Sequence, residues 1–338
     1  MRNARKWLIR MAVLVLLALL LWWALRKAPL VEIWVAIRQL QLWQIAVILS
    51  LNAFFYIIAT LRWWTIVRAE NKQVPYFPLL GVRVSVFGVS YFTLGPQVGG
   101  EPLQILALQR RYHLTYTHAT ATVLMDKLLE FLVDFLMLAI GLTAILRVGV
   151  LAENGLQFSG DLVLLAFLNF WPPVHLILLY NRRYPLGGLL HRLPLIKKNS
   201  KPVRFLRLAE KLAGRFCQRH PGRLLAAIGF SILAGAGMLL DYALMTSFLN
   251  IHLTFWKMTA SWMMGWISLL MPLPGGLGAL EASQVFTLGK FGFTPAAALS
   301  LTLVMRGRDI LIGGLGLLLA SSGGLHGAKT DQAKNLNL

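Results

Sequence analysis

One stretch of the chain, residues 117 to 147, is apolar enough to cross a bilayer yet carries Asp126, Lys127, Glu130 and Asp134. At about 100° per residue these side chains fall near 0°, 100°, 40° and 80°, so they share one face of a helix. Charges at membrane depth are expensive, and by default each marks a functional site. Two kinds of chemistry fit. The spacing allows a local salt-bridge ladder among Asp126, Lys127 and Glu130 that pins the helix to a neighbour. It equally allows a polar cavity wall, where crowded carboxylates bind a cationic group or relay protons.

Two further sets of residues point to an anion. Arg306 and Asp309 share a face near the C-terminal end, while Arg308 points away from Arg306. A planar, permanently charged guanidinium suits bidentate capture of phosphate; an ion pair with the Asp126 group is the plainer alternative. The pattern Pro-x-x-Gly-Gly occurs twice, in "GPQVGGEPLQ" at 95 to 104 and in "MPLPGGLGALE" at 271 to 281. Each copy is followed by a carboxylate, Glu101 or Glu281, where a helix would open. Such carboxylates cap free N–H groups. The turns Gly99–Gly100 and Gly275–Gly276 could in addition bring backbone N–H groups close to a phosphate, as an anion-binding nest. Arg62, in "LRWWT", reads as an interfacial anchor beside Trp63 and Trp64. Asp241 stands alone in the apolar run 224 to 248, with no partner visible in the sequence.

The elements that must position these residues are membrane helices. Of 338 residues, 57% are hydrophobic and only 14% charged, a composition that places the chain in the membrane class. Its net charge of +20 is uneven. Between Arg182 and Arg223 there are twelve basic residues and one acid, Glu210, whereas Val148 to Asp161 has two acids and no base. The positive-inside rule puts the first of these in the cytoplasm and the second outside. Anionic lipid headgroups, not nucleic acid, account for the excess charge. The lone Cys217 cannot build a disulfide framework, and its place in the basic loop fits a reducing compartment. The N-terminal run Met11 to Leu25 ends in tryptophans and bases without a small-residue cleavage site, so it reads as an uncleaved anchor.

Spanning helices are expected at 7 to 25, 42 to 66, 117 to 147, 161 to 180, 224 to 248, 255 to 271 and 295 to 321. The segments 76 to 111 and 272 to 291 are interrupted by Gly and Pro, and read as broken or re-entrant hairpins lining a cavity. The fold class is therefore an all-α polytopic membrane protein, about seven spanning helices plus two such hairpins. Counting sides from a cytoplasmic N-terminus makes the two hairpins enter from opposite faces. That is the signature of an inverted repeat, one unit at about 42–147 and the other at about 224–321, with a binding site near the midplane. "VLMDK" at 123 to 127 and "LVMRG" at 303 to 307 fall at corresponding places. The basic segment 181–223 reads as amphipathic helix on the membrane surface, and 323–338 as a polar tail. No metal-spaced His/Cys set, nucleotide loop or nucleophile elbow occurs, and no cofactor is expected.

At this point the motifs carry a resemblance. "YFTLGPQVGGEPLQILALQRR", "ATVLMDKLLEFLVDF" and "LLMPLPGGLGALEASQVFTLGKFGFTPAAALSLTLVMRGRDILIGGLGLL" together resemble the flippase-like family of lysylphosphatidylglycerol synthase transmembrane regions, over about residues 10 to 322. The family is similar to the membrane half of the bacterial multiple peptide resistance factor, which moves aminoacylated phosphatidylglycerol between leaflets. Other members are associated with polyprenyl or dolichyl phosphate sugars. The resemblance implies recurrent polar positions at Arg62, Glu101 with its glycine turn, Asp126 and Lys127, Glu281 with its glycine turn, and Arg306. Where the family often has Glu-Arg this chain has Asp126-Lys127, which keeps the charge but loses the guanidinium fork.

The expected function is a lipid flippase of the bacterial cytoplasmic membrane, moving an anionic phospholipid or a polyprenyl-phosphate-linked lipid. Its partners would be those lipids, with a separate lipid-modifying enzyme and oligomerisation left open. The path residues would be Arg62, Gly99, Gly100, Glu101, Asp126, Lys127, Glu130, Gly275, Gly276, Glu281, Arg306 and Asp309. Two alternatives remain: a membrane-embedded transferase using the same carboxylates as acid and base, and an accessory subunit that presents lipid to a separate enzyme. No aminoacyl-transfer domain follows Leu338, so synthesis of a lysyl-lipid is not expected of this chain.

Overall fold

The computed structural model describes residues 40–92, 100–150, 170–186, 201–269 and 276–321, together with Val31, Trp34, Val35 and Arg38. Expectations that fall on 7–25, on 151–169, on 187–200, on Gly99 and Gly275 and on the tail 323–338 lie outside the described residues.

Among the described residues the secondary structure is helical throughout. The helices are α1 (Leu42–Glu70), α2 (Tyr76–Phe92), α3 (Glu101–Tyr112), α4 (Tyr116–Val148), α5 (Phe170–Tyr180), α6 (Lys201–Arg219), α7 (Pro221–Phe248), α8 (Phe255–Leu269), α9 (Ala279–Lys290) and α10 (Pro295–Leu319). Their ends follow local chemistry. Thr115 caps α4 by accepting from the His118 N–H at 3.4 Å, and Gly149 ends it in the left-handed conformation, φ 70°. Thr294 caps α10 by accepting from the Ala297 N–H at 3.2 Å, with Pro295 in the first turn.

Helices α1, α4 and α7 are long and apolar enough to cross a membrane. At about 1.5 Å per residue each exceeds the roughly 30 Å hydrocarbon core. Large apolar side chains remain outside the bundle: Leu42, Phe54 and Ile57 on α1, Leu225, Ile232 and Leu240 on α7, and Leu311, Leu315 and Leu318 on α10. Bands of exposed leucine and isoleucine on helices of this length are a lipid-facing surface. The protein is membrane-embedded.

One succession occurs twice: a long helix, two short helices, then a long helix. It runs 29, 17, 12 and 33 residues in α1 to α4, and 28, 15, 12 and 25 in α7 to α10. Helix α1 packs along α7, while α2 packs on α10 and its counterpart α8 packs on α4. The sequence reading makes 255–271 a separate span and 272–291 a hairpin by itself. In the fold α8 and α9 pack together as α2 and α3 do. Apolar helix arms look alike in sequence whether or not they cross the bilayer.

Helix α6 is the amphipathic element of the basic segment. Ala209, Leu212, Ala213, Phe216 and Cys217 are buried, while Lys211, Arg215 and Arg219 face outward. Burial pushes the Cys217 thiol up to about 12, so it is protonated at neutral pH.

Candidate functional site

The acidic face of α4 turns towards α1, α2 and α3, and each supplies a partner. From α1, Arg62 donates through Nε to Asp126 Oδ1 at 2.7 Å and through Nη2 to Glu130 Oε2 at 2.7 Å. Its Nη1 reaches Ser231 Oγ on α7 at 3.2 Å. From α2, Arg83 donates to Asp126 Oδ2 at 2.7 Å and to Glu130 Oε2 at 3.3 Å. Lys127 lies 2.7 Å from Glu130 Oε1 and 3.3 Å from Glu101 Oε1 at the start of α3. Three cations thus face three carboxylates. At low dielectric such a network holds only because nearly every lone pair and proton is matched.

The other half carries two smaller clusters. Glu281 accepts two hydrogen bonds from Arg306, one to Oε1 and one to Oε2, the latter at 2.9 Å. Its Oε2 also accepts the Gly278 N–H at 2.8 Å, and Arg306 donates to the Gly276 carbonyl at 3.0 Å. Glu281 therefore caps α9 and ties the glycine turn to α10. Gly276 and Gly278 have φ of +66° and +81°, backbone that favours glycine. The second cluster joins Arg308 to Asp241 on α7 and, at 2.8 Å, to Asp309.

Between the halves lies a cavity of about 210 Å³. Arg83, Glu101, Lys127 and Glu130 face it from one side, and Asp241, Arg308 and Asp309 from the other. Phe55, Tyr56, Trp262 and Trp266 supply apolar wall. Gly100 lies on the wall where a Cβ would come within 2.5 Å of Val86 Cγ1, so only glycine fits without a shift. Among the described residues, three buried polar atoms of the wall have no hydrogen-bond partner: Ser90 Oγ, Gln104 Oε1 and Asp241 Oδ1. Each such atom costs about 1–3 kcal/mol when left unmatched, and a bound polar group would recover it.

Of the residues expected on the path, Gly100, Glu101, Lys127, Glu130 and Asp309 line the cavity. Arg62 and Asp126 stand behind that wall, 3% and 1% exposed, so Arg62 is an ion-pair partner in the bundle and not an interfacial anchor. Gly276, Glu281 and Arg306 form their own cluster away from the cavity wall, and Gly99 and Gly275 lie outside the described residues. Three wall residues were missed: Arg83, Gln104 and Arg308. Arg83 stood as a lone charge in "GVRVSVFG", and the rule applied to Asp126 would have found it. Asp241 now has its partner in Arg308.

The sequence profile described as "lysylphosphatidylglycerol synthase TM region" matches residues 7–316. The chain belongs to that family. The family match spans both helical successions and every charged cluster described above. The chain is also similar to the UPF0104 membrane protein PH1989 of Pyrococcus horikoshii, with 25% identity over 322 residues, covering 89% of this chain and 92% of the relative. No solved structure matches it. A lipid-related membrane role accords with the family, and the matched region includes every residue that lines the cavity.

Proposed function

We propose that this transmembrane region is a lipid transporter that moves an anionic phospholipid or a polyprenyl-phosphate-linked lipid across the cytoplasmic membrane, the headgroup passing through the cavity while the chains stay in the bilayer. The observation that carries the reading is a charge-lined cavity between two similarly built halves, with wall polar atoms unmatched among the described residues. A membrane protein tolerates such a site at the cost of stability, and function is the usual reason. The matching succession of helices and the reciprocal packing of α2 on α10 and α8 on α4 support an inverted repeat.

The wall cations are already paired, Lys127 with Glu130 and Glu101, Arg308 with Asp241 and Asp309. A lipid phosphate would therefore enter by exchange, displacing a carboxylate from a cation. Such exchange keeps the empty cavity electrically balanced, and it makes each transport step a swap of partners instead of the exposure of a bare charge. The test is translocation in proteoliposomes with headgroup-labelled phosphatidylglycerol, polyprenyl phosphate and phosphatidylcholine, scored by an impermeant quencher. The expected result is selective movement of an anionic lipid that is lost in Glu101→Gln. Folded protein that moves none of the three lipids above the protein-free rate rejects the proposal.

A further inference from the structure

A second polar site lies away from the cavity, where α6 meets the end of α5. Arg182, Lys211, Arg215 and Arg219 line a concave pocket together with Tyr184 and Gln218. Lys211, Arg215 and Arg219 recur every four residues, so they stack along one face of α6 and repel one another. Arg182 comes at them from the neighbouring turn in a left-handed backbone conformation, φ 59°, with its Nε on Gln218 Oε1 at 3.4 Å. Gln218 also donates to the Tyr180 carbonyl, which fixes that turn against α6.

Among the described residues, no carboxylate lines the pocket. The acid nearest in sequence, Glu210, is turned the other way and fully buried, accepting from the Leu186 N–H at 2.9 Å and facing His175 Nε2 at 3.2 Å. Four cations converge while the local acid is engaged elsewhere, which leaves the pocket fit for an anion. What anion follows from its surroundings. Phe170, Val174 and Ile177, spaced four and three apart, form an exposed apolar stripe along α5 that runs towards the pocket, ending at exposed Tyr180. Leu208 is exposed on α6. A stripe of this kind takes acyl chains, and the aromatic ring at its end sits at headgroup level.

We propose that this pocket binds the phosphate of an anionic phospholipid resident in the leaflet beside α6, a site separate from the cavity. The lipid neutralises the basic face and clamps α6 to α5 and the 180–184 turn. A basic pocket at the membrane surface is the form that headgroup recognition takes. Arginine supplies forked donors, and lysine a mobile point charge.

The test is thermal stability of the purified full-length protein with added phosphatidylglycerol, phosphatidylcholine or soluble glycerol phosphate. Phosphatidylglycerol should stabilise the wild type most, and Lys211→Gln with Arg215→Gln should weaken its apparent affinity roughly thirtyfold. The charge-retaining Arg215→Lys should keep most of the effect, and Lys72→Gln, an exposed lysine outside both the pocket and the cavity, should keep all of it. Equal stabilisation of wild type and the double variant overturns the site. Stabilisation by glycerol phosphate equal to that by phosphatidylglycerol overturns the lipid assignment, and loss of the effect in Lys72→Gln shows diffuse charge attraction in place of a site.

Discussion

Arg62 on α1 and Asp126 on α4 meet at 2.7 Å, Nε to Oδ1, with both side chains almost wholly sealed inside the bundle. Each is held by more than the other: Arg62 also reaches Glu130 and Ser231, and Asp126 also accepts from Arg83. One guanidinium thereby ties α1, α4 and α7 together behind the cavity wall. Truncating one partner leaves an uncompensated charge where water cannot reach it. Arg62→Ala should cost about 3–5 kcal/mol, seen as a large fall in the thermal midpoint of protein in detergent. Adding Asp126→Asn should recover part of the loss, because it removes the carboxylate left in excess and lets Arg83 and Lys127 balance Glu130 and Glu101. An additive double variant would show that the two residues act independently.

Glu101 and Glu281 occupy matching places after the two glycine turns, yet the structure gives them unequal duties. Glu101 is about one-third exposed and shares Lys127 with Glu130. Glu281 is more deeply buried, caps α9 and takes two donors of Arg306. Glu281→Ala should therefore lose a cap and leave a buried arginine with the Gly276 carbonyl and Tyr91, at a cost of about 2–4 kcal/mol. Glu101→Ala should cost under about 1 kcal/mol while still impairing transport. Equal destabilisation by the two would contradict the asymmetry.

The acidic face of α4 was legible because helical periodicity and the cost of intramembrane charge are both local rules. So were the glycine backbone at Gly276 and the existence of most of the described helices. Which arginine of α10 faces the cavity was not legible. Arg306 and Arg308 lie two residues apart and so on nearly opposite faces. The choice between them depends on how α10 is rotated against α2, a matter of packing that periodicity does not encode. Partners across 40 to 70 residues, such as Arg83 with Asp126 or Arg308 with Asp241, are hidden for the same reason.

That rotation is set by small residues, which gives a sharp pair of variants. A Cβ on Gly316 would lie 2.2 Å from the Val84 carbonyl oxygen of α2, and the backbone there cannot yield. Gly316→Ala should force α10 off α2, lowering stability by about 1–3 kcal/mol. Two residues away, a Cβ on Gly314 meets nothing within 4 Å. Gly314→Ala should be neutral or stabilising by up to about 1 kcal/mol through helix propensity. Thermal midpoints of the two variants side by side decide it, and a harmless Gly316→Ala would show that α2 and α10 are not in contact as described.

Gln104 on α3 and Gln284 on α9 hold equivalent places three residues beyond Glu101 and Glu281, and they separate stability from function. Gln284 is well bonded: its Oε1 accepts from Tyr242 at 2.7 Å and Ser261 at 3.0 Å, and its Nε2 donates to the Ser261 carbonyl at 2.9 Å. Gln284→Leu should strand these buried groups and cost about 1–3 kcal/mol. Gln104 instead leaves a buried Oε1 unmatched at the cavity wall. Gln104→Leu should leave stability unchanged or slightly raised, because removing an unmatched polar atom relieves a cost. Its transport rate should nevertheless fall about fivefold or more, since that carbonyl is free to accept a hydroxyl or ammonium of the passing headgroup. Measuring both quantities on both variants separates the roles. Wild-type transport by Gln104→Leu would remove this residue from the path.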